Sequence, residues 1–336
     1  MHTKTRASLA KLLFATIPIL GLFTFSIPTY AGISWTTMDD PNAVFGTYPR
    51  GTSGSNFVGS YLDSQNNSHG FINSGGSFAT LDFGNNYHGA PVAAGISGSN
   101  VVGWYSTDNF LAHGFLFNGS SFATLDAPFL SSGSSGVSTM ATGIDGSNVV
   151  GFYLNSGNAA DLSRHGFLYN GVSYTDLTDP FSSGTNGSAG TRAFGISGSN
   201  VVGDYTDISG NYHGFLYNGS TYITLDDPNG IVATHAFGIN GSNIVGSYTD
   251  SAQHIHGFLY NGTSYTTLDD PSVNSGGSTE ITGISGSTIV GYYSDSTGYH
   301  GFIATGVPEP SSIAMLSLGT LLYAARRRRR KEQGTA

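Results

Sequence analysis

The chain has 336 residues, of which 49 are Gly, 10% are charged and 12% are aromatic, a turn-dense profile with enough apolar side chain for a packed all-β core. It contains no Cys, which excludes a disulfide framework, a cysteine metal site and a cysteine nucleophile. Between Gly32 and Thr305 the only basic residues are Arg50, Arg164 and Arg192, whereas all of the 21 Asp and Glu except Glu309 and Glu332 lie there; so acidic a body argues against nucleic acid or anionic lipid as partner, since phosphate contacts need clustered Lys and Arg.

In chain order, the first segment is a leader. Lys4, Arg6 and Lys11 precede or open an apolar run over 12–27, and Thr29-Tyr30-Ala31 offers small residues where a signal peptidase reads. The pattern predicts export of the chain with cleavage after Ala31, leaving 1–31 as a signal peptide. An uncleaved anchor is the alternative, and Pro18 and Pro28 do not decide between the two.

A unit of roughly 45 residues then recurs, marked by His-Gly-Phe at His69, His113, His165, His213, His256 and His300. The copy over 193–228 shows four short β-type runs, 193–197, 200–205, 213–217 and 221–226, each bounded by Gly, Asn, Ser or Pro. The Asn-Gly pairs beginning at Asn118, Asn170, Asn218 and Asn261 are expected to supply positive φ to tight hairpins. Four antiparallel strands per unit, a to d, follow.

Strand a is rich in Ala and Gly (Ala94-Gly95, Thr142-Gly143, Phe194-Gly195, Phe237-Gly238), which suits a strand where several sheets converge. Strands b and c carry adjacent apolar residues such as Val101-Val102 and Phe215-Leu216, as expected when both faces of a sheet are covered. The last copy ends at Ile303 without a Thr-Leu-Asp-Asp-Pro strand, and the missing strand stands at the other end of the chain, in 35–41. A closed ring uses such a swap to remove an exposed edge, whereas an open stack has no use for it. The expected fold is an all-β, six-bladed β-propeller of four-stranded antiparallel blades over 32–305, closed by an N-terminal strand.

The six repeated histidines invite a metal or catalytic reading, but strand c lies away from a propeller axis, so the imidazoles are spread around a wide ring. Each is expected to bond a carboxylate, from the preceding turn (Asp63, Asp108, Asp207, Asp250, Asp295) or from the end of strand d (Asp39, Asp82, Asp126, Asp226, Asp269). The propellers of the WD-repeat class, similar by analogy, use His and Asp in such a network. The b–c turns offer oxygen atoms but generally one carboxylate each, short of the several that Ca²⁺ commonly takes, so no cofactor or metal is expected, with Ca²⁺ as the one candidate.

No nucleophile elbow, zinc-protease helix or phosphate-binding glycine loop is present, so no catalytic residue is named. A polysaccharide-processing glycosidase or lyase with carboxylates drawn from different blades remains the alternative. The copies differ mainly in loop length. From the Val-Gly of strand b to His the spacing runs from 9 (Gly291 to His300) to 14 (Gly151 to His165), and Ser/Gly-rich insertions occur over 131–139 and 182–191. Since b–c and d–a loops emerge on one face of an antiparallel blade, that face is the expected binding surface. Trp104, Tyr105, Phe110, Phe129, Arg164, Phe181 and Arg192 are its candidate residues, with the arginines placed on the loops, because aromatic rings stack on sugars and Arg bonds hydroxyls or carboxylates. The partner expected there is exopolysaccharide or another surface protein.

At the C-terminus Val307-Pro308-Glu309-Pro310 is followed by the apolar stretch 313–325 and then Arg326, Arg327, Arg328, Arg329, Arg330 and Lys331. The stretch is shorter than the about 20 residues a spanning helix prefers, and the basic cluster would stay cytoplasmic. Motif, apolar segment and Arg cluster in this order resemble the PEP-CTERM sorting signal of Gram-negative bacteria. That resemblance implies transient anchoring of 306–336 in the inner membrane, cutting near the Pro-Glu-Pro motif by an exosortase-type protease, and delivery to the cell surface or extracellular matrix; a plain tail anchor is the alternative. The repeats, with Gly-Ile at Gly95, Gly143, Gly195, Gly238 and Gly283 and Val-Gly at Gly59, Gly103, Gly151, Gly203, Gly246 and Gly291, resemble the HAF family of extracellular repeats over 44–303, with Gly for Ala after each His. That family is defined by its repeat, so the resemblance implies an exported structural or binding module and no particular activity.

Overall fold

The computed structural model describes residues 32–81, 91–107, 111–129, 136–156, 163–182, 190–273 and 276–308. The leader, Phe110, and the chain from Glu309 onward, including Pro310 and Arg326 to Arg330, lie outside the described residues.

After a first strand β1 (Ser34–Thr37), the strands fall into five sets of four and a last set of three. These are β2 (Gly46–Ser53), β3 (Asn56–Leu62), β4 (Ser68–Ser74) and β5 (Ser77–Leu81); then β6 (Val92–Ser97), β7 (Asn100–Ser106), β8 (Ala112–Phe117) and β9 (Phe122–Leu125). Next come β10 (Gly136–Asp145), β11 (Asn148–Ser156), β12 (Arg164–Tyr169) and β13 (Tyr174–Leu177), followed by β14 (Thr191–Ser197), β15 (Asn200–Thr206), β16 (Tyr212–Tyr217) and β17 (Tyr222–Leu225). The last are β18 (Ala233–Asn240), β19 (Asn243–Thr249), β20 (Ile255–Tyr260) and β21 (Tyr265–Thr267), then β22 (Thr279–Ser285), β23 (Thr288–Ser294) and β24 (Tyr299–Thr305). Each set is an antiparallel meander, and a single parallel bridge, Tyr212 to Ala233, links β16 to β18 so that β14–β21 form one continuous sheet. The architecture is a β-propeller of four-stranded antiparallel blades.

The final set has only three strands of its own, and β1 completes it, with Ser34 opposite Thr305 and Thr37 opposite Phe302. The Trp35 ring packs 4.9 Å from that of Phe302. Closure therefore follows from strand pairing that joins the two ends of the body.

The inner strands β2, β6, β10, β14, β18 and β22 touch in succession, and β22 touches β2. Glycine makes this convergence possible. A Cβ built on Gly51, Gly95, Gly143, Gly195, Gly238 or Gly283 would stand only 3.0–3.2 Å from the Cα of the next of these glycines, closing back on Gly51. Outside this ring each blade buries a strand-c phenylalanine completely: Phe71, Phe115, Phe167, Phe215, Phe258 and Phe302 are all at 0% exposure. Each such side chain contributes about 1.5–3 kcal/mol of transfer free energy. Neighbouring blades share the core, as where Val102 of β7 packs with Ile144 and Val149 of the next blade.

The two kinds of turn differ chemically. The a–b hairpins are two-residue Gly-Ser turns whose Gly has φ near +60° (Gly98 and Gly198, 61°), the first-position glycine of a type II′ turn. Their amides also tie blade to blade, for example Gly98 N donating to Ser53 Oγ (3.3 Å) and Gly198 N to Asp145 Oδ2 (2.7 Å), and Gly54 N to Ser285 Oγ (3.1 Å) completes the circle. In the c–d turns the Asn-Gly expectation needs correcting. Only the Gly has positive φ (Gly219, 93°); Asn218 instead uses its side-chain oxygen to accept the amides of Ser220 and Thr221. The side chain holds the turn, as an Asx turn does.

Candidate functional site

Every inner strand carries a β-bulge just before its axial glycine: the register shifts between Pro49 and Gly51, Ala93 and Gly95, Ala141 and Gly143, Ala193 and Gly195, Ala236 and Gly238, and Ile281 and Gly283. A bulge leaves one residue unpaired and re-aims its side chain. Those residues are Arg50, Ala94, Thr142, Phe194, Phe237 and Thr282, and all of them line a cavity of about 210 Å³ on the axis. Trp104, Phe152 and Tyr292 of the second strands and Glu280 of β22 also line it. The lining runs along the axis, from Glu280 near the start of β22, past the bulge residues in mid-strand, to Ile96, Ile144, Ile196, Ile239 and Ile284 near the ends of their inner strands.

Aromatic rings of neighbouring blades pair beside the cavity. Phe152 and Phe194 are 6.2 Å apart, Phe194 and Phe237 5.2 Å, and Tyr48 and Tyr292 5.2 Å. The Arg50 guanidinium lies 5.7 Å from the Trp104 ring, within cation–π range, and its Nε is buried without a hydrogen-bond partner among the described residues.

A buried ionic cluster braces one side. Arg192 donates Nε to Asp204 Oδ1 at 2.8 Å and a second hydrogen bond to Oδ2, and His235 Nδ1 lies 2.6 Å from Oδ2. Asp204 is 1% exposed. Burial pushes its carboxyl up, but the Arg192 charge and the His235 bond outweigh burial and hold it below the ordinary value. The Arg192 guanidinium also covers the Phe194 and Tyr212 rings at 5.2 and 5.1 Å. In the last set of strands, burial first and then the Glu280 carboxylate raise the Tyr292 hydroxyl, keeping it a neutral donor.

The sequence-based candidates scatter. Trp104 lines the axial cavity, and Phe181 is 61% exposed on the loop face. Phe129 stacks on Tyr153 at 4.9 Å. Tyr105 is corrected: it is 7% exposed and stacks on His113 at 5.6 Å, so it is part of the blade interior. Arg164 and Arg192 are corrected from loop to strand positions, in β12 and β14, and Arg192 is bound to Asp204. Arg50, Phe152, Phe194, Phe237, Glu280 and Tyr292 were not among the candidates. For all of these but Glu280 the signal is the one residue before the axial Gly in strand a and the one residue between Gly and Tyr in strand b, which vary among the copies.

The repeated histidines sit between carboxylates and tyrosine. His213 has Asp226 at 2.9 Å on Nδ1 and Asp207 at 3.3 Å on Nε2. His69 meets Asp63 (3.2 Å), His113 meets Asp126, His256 meets Asp269 and His300 meets Asp39 (each 2.8 Å), and His165 meets Ser163 Oγ (3.1 Å). Each stacks on the strand-b tyrosine at 5.0–5.6 Å, from Tyr61 with His69 to Tyr293 with His300. Among the described residues, one group could offer three metal ligands, Asp250, His254 and His256.

Both described ends of the body lie on the face of the a–b turns. Val307, 1% exposed, donates its amide to Ser287 O (3.0 Å), and Asn243 Nδ2 donates to Pro308 O (2.7 Å); Ser287 and Asn243 belong to a–b turns. Among the described residues no helix is long and apolar enough to cross a membrane; 313–325 lies outside them.

Comparison with known proteins gives two kinds of finding. The sialidase of Trypanosoma rangeli matches 90% of this chain and 62% of its own at 9% identity and TM-score 0.52, and the SapL1 lectin in complex with α-methyl fucoside matches 80% of this chain and 99% of its own at 14% and 0.50. The Aleuria aurantia lectin, in complex with α-methyl-L-fucoside, matches 82% of this chain and 99% of its own at 13% and 0.46. At such identities the first two are likenesses of fold alone. No curated protein matches the sequence. Residues 306–330 match the PEP-CTERM protein-sorting motif, so the chain ends in a sorting signal of the exosortase system and is exported.

Proposed function

We propose that the chain is an exported, six-bladed propeller of HAF-type repeats that binds extracellular saccharide at the axial mouth on its loop face. What carries this is a pattern within the repeat. The glycine ring, the buried Phe and the His–Tyr stack recur in every blade, yet the residue between Gly and Tyr on strand b is Ser60, Trp104, Phe152, Asp204, Ser247 and Tyr292 in turn. The bulge position is Arg50, Ala94, Thr142, Phe194, Phe237 and Thr282. At these two positions the copies differ, apart from the pairs Ser60 and Ser247, Thr142 and Thr282, and Phe194 and Phe237, while the glycines and isoleucines that also line the cavity repeat; the differing residues make the pocket asymmetric. Aromatic faces, a guanidinium with an unpaired Nε and a carboxylate are groups that stack on sugar rings and bond hydroxyls.

The blade number rests on the succession of inner strands and on reading the eight-stranded sheet as two blades joined by one bridge. Exposed apolar side chains rim the same face, among them Val44, Phe45, Phe181, Ile208 and Ile231. They extend the surface beyond the pocket. In the proposed route, signal peptidase cuts after Ala31, the inner membrane holds the C-terminal segment, and an exosortase-type protease cuts near Pro308, Glu309 and Pro310. With both ends leaving by the turn face, the mouth points away from the membrane toward the cell surface or matrix.

Among the described residues lining the pocket Glu280 is the one carboxylate, whereas the usual glycoside hydrolysis needs two, which favours binding over catalysis. A glycan array probed with the processed, secreted protein tests this. Binding that is lost in Trp104→Ala at unchanged melting temperature supports it; release of reducing sugar from exopolysaccharide would point to an enzyme instead.

A further inference from the structure

We infer that Asp250, His254 and His256, in the turn from β19 to β20, form a three-ligand site for a zinc-class divalent cation. The same turn occurs at three places in the ring. In 63–67 and 207–211 the aspartate's Oδ1 accepts two backbone amides (Gln65 and Asn67; Ser209 and Asn211), while Oδ2 takes the Asn side chain at 3.1–3.2 Å and the blade histidine at 3.2–3.3 Å. The third copy keeps the frame: Asp250 Oδ1 accepts the amides of Ala252 (2.8 Å) and His254 (2.9 Å), and Gln253 has φ +69° where Asn66 has +63°. What changes is that His254 stands where Asn67 and Asn211 do.

That exchange removes a donor and leaves a gap. Asp250 Oδ2 is 3.7 Å from His254 Nδ1 and 3.6 Å from His256 Nε2, longer than good hydrogen bonds. A tetrahedral ion with bonds of about 2.0–2.2 Å holds its ligand atoms about 3.3–3.5 Å apart, so both pairs need to close by only a few tenths of an ångström. The three ligand atoms lie within 4.8 Å of one another, and His254, 48% exposed, is free to adjust.

The surrounding groups are those of a metal site. His256 Nδ1 lies 2.8 Å from Asp269, which fixes the ring and directs Nε2 into the cluster, the carboxylate–histidine arrangement of bound zinc. Two carboxylates supply the charge a dication needs. Two imidazole nitrogens favour Zn²⁺, Ni²⁺ or Cu²⁺ over Ca²⁺. The fourth position is left to water on the loop face, beside the surface proposed to bind ligand, though the ion site does not depend on that proposal.

Zinc chloride titrated into the detergent-purified full chain, by calorimetry and by thermal melting against EDTA, tests this. The expected result is stoichiometric binding with a raised melting temperature, at least tenfold weaker in His254→Asn and in His254→Gln, with the melting temperature in EDTA unchanged because Asn is native to the sister turns. Absence of zinc binding, equal affinity in His254→Asn, or a melting shift with calcium chloride and none with zinc would overturn it.

Discussion

Nδ1 of His300 lies 2.8 Å from a carboxylate oxygen of Asp39, a residue 261 positions earlier in the chain. The same carboxylate accepts the Gly301 amide through its other oxygen at 3.0 Å, and Met38 N donates to Gly301 O at 2.7 Å. The first strand therefore supplies the last blade with the partner that Asp226 and Asp269 supply to His213 and His256 within their own blades. The seam where the ring closes has the same chemistry as the blades it joins.

Removal of 35–41 should therefore open the ring. The β1 ladder at about 1 kcal/mol net per hydrogen bond, with the Trp35–Phe302 contact and the His300 bond, is a large share of a typical stability of about 5–15 kcal/mol. The deleted protein should be aggregated or melt far below the parent; an unchanged melting curve would show that β1 is not structural.

Asp204→Ala should destabilise the protein by about 3–5 kcal/mol, since it leaves the partly buried Arg192, held against Phe194 and Tyr212, without its counter-charge. Denaturant unfolding measures this. The exposed Ile223→Ser, at 47% exposure, should change stability by less than about 0.5 kcal/mol.

Gly195→Ala tests the axial convergence. Its Cβ would meet the Phe237 carbonyl oxygen at 2.7 Å and the Gly238 Cα at 3.2 Å, both backbone atoms that cannot swing aside. Overpacking of this kind costs about 1–3 kcal/mol, visible as a lowered melting temperature.

The histidine network sets the pH dependence. Burial lowers His213 and His300, but bonds to Asp226 and Asp39 outweigh it and leave both raised above 6.5. A raised folded-state value means that the folded protein binds more protons, so the contribution is fully present below 6.5 and lost as pH rises through the folded value. At the acid end, backbone hydrogen bonds from Asn67 and Asn211 hold Asp63 and Asp207 at about 2, so their contribution is present above 3.8 and disappears as pH falls toward 2. Melting temperature should thus be higher near pH 6 than near pH 8 and collapse below pH 4. His300→Gln combined with His213→Gln should flatten the alkaline limb.

The ring, the four-strand unit and the closing strand are legible in the sequence because each repeats or conspicuously fails to repeat. His-Gly-Phe, Val-Gly and the displaced Thr-Met-Asp-Asp-Pro segment fixed those. The axial pocket was not legible, because its residues depend on bulges that pattern alone does not reveal: strict alternation would give Arg50 and Phe194 no reason to face the axis. Variation in loop length is plain in the sequence and points to Arg164 and Arg192, whereas single exchanges at fixed strand positions stand out only once the bulges show which way they face. His254 escaped for a similar reason, being one exchange for Asn inside a turn that otherwise matches its sisters.

The chain has two tryptophans, Trp35 at the seam and Trp104 in the axial pocket. In Trp35→Phe the remaining indole reports on the pocket alone. Titration with a saccharide selected on the array should shift or quench Trp104 emission, saturating at the dissociation constant measured by calorimetry. Saccharide binding that leaves Trp104 emission unchanged and persists in Trp104→Ala would place the ligand elsewhere and contradict the assignment of the axial mouth.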